Sequence, residues 1–120
     1  MQTFLIIDDE QLVRETVARM VAGDGRRVLQ AAGGFEGLKI FEAEHVDVVL
    51  CDFHMPEISG PETVIALRRK SPGLKIIAMS GSIEEETLEL AKQCGADATL
   101  LKPFRRAQVI ALLSKLAPAG

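Results

Sequence analysis

At 120 residues and 48% hydrophobic content, the chain is long enough for one domain with its own core and too short for two. Its net charge of -3 argues against a nucleic-acid-binding face, which needs clustered Lys and Arg in excess, so no direct nucleic-acid contact is expected. No apolar stretch approaches the roughly 18 residues of a membrane span and the start carries no basic leader, so a soluble, cytoplasmic protein without membrane contact is expected.

Phe4-Leu5-Ile6-Ile7 opens the chain as a short continuous apolar run, the pattern of a strand buried on both faces, and Asp8-Asp9 follows it. Leu12, Val13, Val17, Met20 and Val21 then recur at helical spacing until Gly23-Asp24-Gly25 breaks the pattern. Arg27-Val28-Leu29-Gln30-Ala31 is mixed in polarity and fits an edge strand, closed by Gly33-Gly34. Val48-Val49-Leu50-Cys51 is a third run, ending at Asp52. Gly60-Pro61-Glu62 starts a helix, with proline where an early N–H needs no partner, and Ser71-Pro72-Gly73 ends it. Ile76-Ile77-Ala78-Met79 leads to Ser80, and Ser82-Ile83-Glu84-Glu85 fits a capping box for the next helix. After Gly95, Leu100-Leu101 leads to Lys102, and Val109, Leu112, Leu113 and Leu116 mark a last helix. Five strand–helix repeats predict an α/β domain over 1–117, a parallel sheet with helices on both faces. Residues 118–120 form a tail or the start of a linker. Cys51 and Cys94 lack CxxC spacing and are expected as reduced, packed thiols.

In open parallel sheets, ligands sit beyond the carboxyl ends of the strands. Asp8, Asp9, Asp52, Ser80 and Lys102 all occupy such ends. Taken singly, the acids suit a helix start or a turn, Ser80 a cap, and Lys102 a solvated position before a helix. Taken together they differ: three neighbouring carboxylates repel unless a cation resolves the conflict. An oxygen-only ligand set with room for water and a phosphoryl group describes Mg2+. Lys102 then offers a point charge and Ser80 one hydrogen bond to phosphoryl oxygens.

Asp8-Asp9-Glu10, the stretch Asp52-Phe53-His54-Met55-Pro56-Glu57-Ile58-Ser59-Gly60 with the pattern D-x-x-M-P-x-x-x-G, Met79-Ser80-Gly81 and Leu101-Lys102-Pro103-Phe104 occur in this order. In order and spacing they resemble the receiver domains of bacterial two-component response regulators, over essentially the whole chain. The resemblance implies a flavodoxin-like, doubly wound five-stranded parallel sheet in the order 2-1-3-4-5. It implies that Asp52 is the phosphoacceptor, served by a sensor histidine kinase or a histidine phosphotransferase, with Lys102 and Ser80 contacting the phosphoryl group. Mg2+ would be held by Asp9 directly, by Asp8 mainly through water, by Asp52, and by the backbone carbonyl of His54. The implied role is signalling to a downstream protein or effector domain rather than turnover of external substrates, with room for a homodimer through the fourth helix, fifth strand and fifth helix. The side chains of His54 and Ser82 are expected at the mouth of the site, where they tune the lifetime of the acyl phosphate. A cis bond at Lys102-Pro103 is a frequent feature of such domains.

Two positions depart from the pattern. Thr99 stands where receivers usually carry the Tyr or Phe whose ring moves with the switch hydroxyl, and Gly81 where alanine is more frequent. The expectation is a response read from the Ser80 loop and fourth helix. Of the other functions weighed, a haloacid-dehalogenase-like phosphatase needs a second acid two residues after its nucleophile, where His54 stands. A flavin carrier needs a phosphate-cradling loop where Asp8-Asp9 would repel the ligand, and an interaction module that works without phosphorylation would have no use for the intact acid set. Arg68-Arg69-Lys70, Arg105-Arg106 and His45 are expected on solvated surfaces.

Overall fold

The computed structural model describes residues 2–23, 25–55, 58–81 and 85–116. Strands and helices alternate through them: β1 (Gln2–Ile7), α1 (Gln11–Val21), β2 (Arg26–Ala31), α2 (Gly34–Ala43), β3 (Val48–Asp52), α3 (Gly60–Lys70), β4 (Lys75–Ser80), α4 (Glu85–Cys94), β5 (Ala98–Leu101) and α5 (Arg106–Leu116). The strands pair in parallel in the order β2-β1-β3-β4-β5, as the resemblance implied.

The continuous apolar runs follow from the two-residue period of a strand acting between two helical layers. Leu5, Ile7, Val49, Cys51, Ile76 and Ala78 face one core, completed by Val64 and Leu67 of α3 and Ala91 and Cys94 of α4. Phe4, Ile6, Val48, Leu50, Ile77 and Met79 face the other, against Val17 and Val21 of α1 and Val109 and Leu113 of α5. Successive residues in β1, β3 and β4 therefore serve opposite cores, and both kinds must be apolar. β2 lies at an edge and is half-exposed, in keeping with its mixed composition.

Helix starts show local chemistry at work. Ser59 caps α3: Glu62 N–H donates to Ser59 Oγ at 3.2 Å, and Ser59 N–H donates back to the Glu62 carboxylate at 3.4 Å. Pro61 sits in that first turn, as expected. The capping residues read for α4, Ser82 to Glu84, and the tail 117–120 lie outside the described residues. Leu12 breaks the helical stripe assigned to it. It is 73% exposed, in the first turn of α1, and lines a surface cleft with Pro103 and Phe104.

Arg68 is not on a solvated face. Its guanidinium donates to the carbonyls of Gly95 at 2.7 Å, Leu74 at 2.6 Å and Pro72 at 2.8 Å, and to the Asp97 carboxylate at 2.8 Å. Asp97 in turn accepts the N–H of Ile76 at 2.8 Å. One side chain thus ties the end of α3, the entry to β4 and the turn before β5. Gly95 reaches φ 110, in the left-handed region where a side chain is strained. Lys70 and Arg69 remain exposed, Lys70 pairing with Glu42 at 2.6 Å, while Arg106 reaches the Met20 carbonyl on α1 at 3.1 Å. Arg68→Met leaves several carbonyls and Asp97 without their donor. It is expected to lower the unfolding free energy by about 1–3 kcal/mol, seen as a lower urea midpoint at unchanged slope.

Candidate functional site

The carboxyl ends of β1, β3, β4 and β5 meet at one edge, since Ile7 pairs with Cys51, Asp52 with Met79 and Ser80 with Leu101. Asp52 and Ser80 are the last residues of their strands, while Asp8 and Lys102 follow theirs directly. Phe53 N–H extends the β3–β4 ladder by donating to Met79 O at 2.9 Å, and Lys102 N–H extends β4–β5 by donating to Ser80 O at 2.7 Å. The Lys102-Pro103 bond is cis. Gly60 is required behind Asp52, because a Cβ there would lie 2.3 Å from the Asp52 carbonyl oxygen and from Phe53 Cα.

Asp8 is fully buried and held from several sides. Its N–H donates to Ala31 O at 3.1 Å, its carbonyl accepts from Arg14 Nη1 at 2.9 Å, and its Oδ1 accepts from Glu10 N–H at 2.9 Å. Lys102 Nζ lies 2.8 Å from Asp8 Oδ2 and 3.2 Å from Asp52 Oδ1. Asp52 is 2% exposed and its Oδ1 also accepts from His54 N–H at 3.3 Å. Asp9 is exposed, yet Asp8, Asp9 and Asp52 each offer an oxygen within 4.8 Å of the others. His54 Nε2 lies 3.3 Å from Ser80 Oγ. The five side chains predicted for the site are therefore brought to one mouth. Ser82, the other position expected there, lies outside the described residues.

Burial pushes the Asp52 carboxyl above the ordinary carboxylate range, reinforced by the negative charge of Asp8 and partly offset by Lys102 and the His54 N–H. Burial pulls Lys102 down, but its hydrogen bond to Asp8 and the charges of Asp52 and Asp8 outweigh that and raise it. Lys102 is thus a fixed cation. Burial also pushes the Cys51 thiol far up, helped by Asp52 and Asp8, so Cys51 packs rather than reacts.

Two contacts were missed by sequence reading. Arg14 lies on the inward stripe of α1 three residues before Val17 and seven before Val21, and a charged residue in that stripe was the available signal. The contact between His54 and Ser80 depends on loop conformation and left no sequence signal beyond the proximity of His54 to Asp52.

The profile of the response regulator receiver domain matches residues 4–114. The chain belongs to this family. Its relatives include the nitrate/nitrite response regulator protein NarL of Escherichia coli K12, 34% identical over 117 residues, covering 96% of this chain and 54% of NarL. The sensor kinase CckA of Brucella abortus is 35% identical over 119 residues, covering 95% of this chain and 12% of CckA. The chain therefore spans about half the length of NarL and a small part of CckA. The chemotaxis response regulator CheY4 of Vibrio cholerae superposes with a TM-score of 0.90 at 28% identity, over 98% of this chain and 99% of that one. Response regulator TrrA of Thermotoga maritima, in complex with Mg2+-BeF, gives 0.86 at 29% identity, over 98% of this chain and 100% of TrrA. A receiver domain is a signalling domain rather than a classical turnover enzyme, and the acid cluster found here fits a phosphoacceptor site. Among the described residues, no helix of this receiver is long and apolar enough to cross a membrane.

The raised carboxyl of Asp52 has a signed consequence. The native receiver binds that proton more tightly than the unfolded chain, so ionised Asp52 lowers stability above its native pKa, and the loss vanishes below the unfolded value of about 3.9. In metal-free buffer, Asp52→Asn is expected to raise the urea midpoint at pH 7, with the gain shrinking as the pH falls toward 4.

Proposed function

We propose that Asp52 accepts a phosphoryl group from a phosphohistidine on a sensor histidine kinase or histidine phosphotransferase. The observation that carries this reading is a buried carboxylate with a fixed ammonium 3.2 Å away and two further acids at its mouth. A carboxylate oxygen of Asp52 attacks phosphorus, the P–N bond of the donor breaks, and an acyl phosphate forms. Lys102 neutralises charge on the phosphoryl oxygens, which dominates the barrier in phosphoryl transfer, and the Ser80 hydroxyl donates to one of them.

The donor set fits Mg2+, being all oxygen and open at the exposed side of Asp9. Asp9, Asp52 and the His54 backbone carbonyl would hold it directly, and Asp8 mainly through water. Once bound, the ion supplies charge neutralisation for the phosphoryl group. TrrA, 29% identical to this chain, is described with Mg2+-BeF bound, which supports the same chemistry here.

The acyl phosphate draws Ser80 and the following Gly81 toward the site, and α4 moves with them. Thr99 has no ring to follow. The module works in the cytoplasm and signals to a downstream protein or effector domain, with kinship to both NarL and CckA supporting either setting.

Acetyl phosphate with Mg2+ is expected to add one phosphoryl mass to the protein, and neither Asp52→Asn nor chelator-treated protein should gain it. No gain under any condition would overturn the phosphoacceptor reading in favour of an idle interaction module. Lys102→Met separates charge roles: with the resident ammonium gone, Mg2+ affinity is expected to rise severalfold by calorimetry. The phosphorylation rate should fall by about 100-fold or more, the scale of losing a fixed transition-state charge.

A further inference from the structure

Residue 54 touches both halves of the switch. Its N–H donates to Asp52 Oδ1 at 3.3 Å, and its ring nitrogen Nε2 lies 3.3 Å from Ser80 Oγ, reaching from the loop after β3 to the last residue of β4. Ser80 has one hydroxyl proton to donate. If that proton is held by the imidazole, it is not available to a phosphoryl oxygen. The β5 position that carries a ring in similar domains is Thr99 here, half-buried opposite Ala78. His54 instead supplies a ring within reach of Ser80, and does so from the loop of the acceptor itself.

We propose that His54 is a positioning residue that holds the Ser80 hydroxyl away from Asp52, and that phosphorylation exchanges this hydrogen bond for one to a phosphoryl oxygen. The exchange assigns Nε2 as the acceptor, with the ring neutral and its proton on Nδ1. It frees the His54 ring, so the conformational response enters residues 53–55 as well as the loop after β4. No covalent step is added; one hydrogen bond replaces another, and their difference sets how far the unphosphorylated domain resists switching. This inference rests on the phosphoacceptor reading of Asp52.

Two features make the test clean. The chain holds two histidines, and the second, His45, pairs with Asp47 at 3.0 Å where the chain enters β3, at the opposite end of the strand. Substitution of the His54 side chain also retains the backbone N–H and carbonyl. At a fixed pH of about 8, where free imidazole is neutral, long-range proton–nitrogen spectra of the unliganded protein should show Nε2 of His54 as the unprotonated nitrogen. Ser80→Ala should shift the His54 ring signals and leave those of His45 in place; an unmoved His54 ring would overturn the contact.

Beryllofluoride with Mg2+ then probes the exchange. His54→Ala is expected to tighten beryllofluoride binding about two- to tenfold, the net worth of one hydrogen bond, and His54→Phe should do the same because its ring lacks the acceptor. In a Ser80→Ala background neither change should alter affinity. Equal effects in both backgrounds would assign His54 to steric access alone, and weaker binding would show that it assists Ser80; either result overturns the proposal. Amides beside Asp52 that fail to respond to beryllofluoride at all would remove the phosphoacceptor reading and this inference with it, whereas their response without any His54 effect removes this inference alone.

Discussion

The ammonium of Lys102, 2.8 Å from Asp8 and 3.2 Å from Asp52, is the contact on which the rest of the site depends. Two carboxylates buried side by side repel each other and lose hydration, and without a cation one of them would take up a proton. Lys102 lies against both carboxylates and partly offsets the effect of burial on Asp52. Its backbone N–H is bonded to Ser80 O on β4 while its side chain spans to the ends of β1 and β3. A single residue therefore joins four strands at the edge where the chemistry lies. The two cores give that arrangement its rigidity, since each strand end is fixed by close-packed side chains on both faces.

Much of this was legible in the amino-acid sequence, for a physical reason. A strand between two helical layers must be apolar at every position, so Phe4 to Ile7, Val48 to Cys51 and Ile76 to Met79 stand out, and the first polar residue after each run marks the strand end. Strand order was not legible from that pattern, because interchangeable apolar runs fit any interior place; it came only from the family motifs. Capping at Ser59 and Glu62 has the same S-x-x-E spacing as Ser82 and Glu85 in the sequence, and it is as local a signal. Arg68 shows the opposite case. Its neighbours Arg69 and Lys70 are exposed, and what withdraws Arg68 from solvent is the Gly95 carbonyl, 27 residues away in sequence. Long-range contacts of this kind, like that of His54 with Ser80, depend on how loops settle once the sheet has formed.

The relatives place this module in two settings, a response regulator of which it spans about half and a sensor kinase of which it spans 12%. The geometry accounts for that portability. Among the described residues, the side chains at the mouth, from Asp8 to Lys102, come from one sheet edge of a single domain. Among the described residues, the exposed large apolar side chains of Leu12, Phe35, Ile65, Leu88 and Leu90 lie on helix surfaces outside this set, and Leu101 is on β5. Surfaces can thus diversify while the acid cluster and its lysine stay in place.

Strand register carries one more consequence. Because side chains alternate between faces, a slip of one residue between β3 and β4 would turn Asp52 and its neighbours over and send core residues to the wrong layer. The pairings Asp52 with Met79 and Ser80 with Leu101 are also what bring the Asp52 carboxylate, the Ser80 hydroxyl and the Lys102 ammonium together. Misregistered molecules would lack a working mouth. On the proposed reading, the fraction of a preparation able to take up a phosphoryl group would therefore count the chains folded in the correct register.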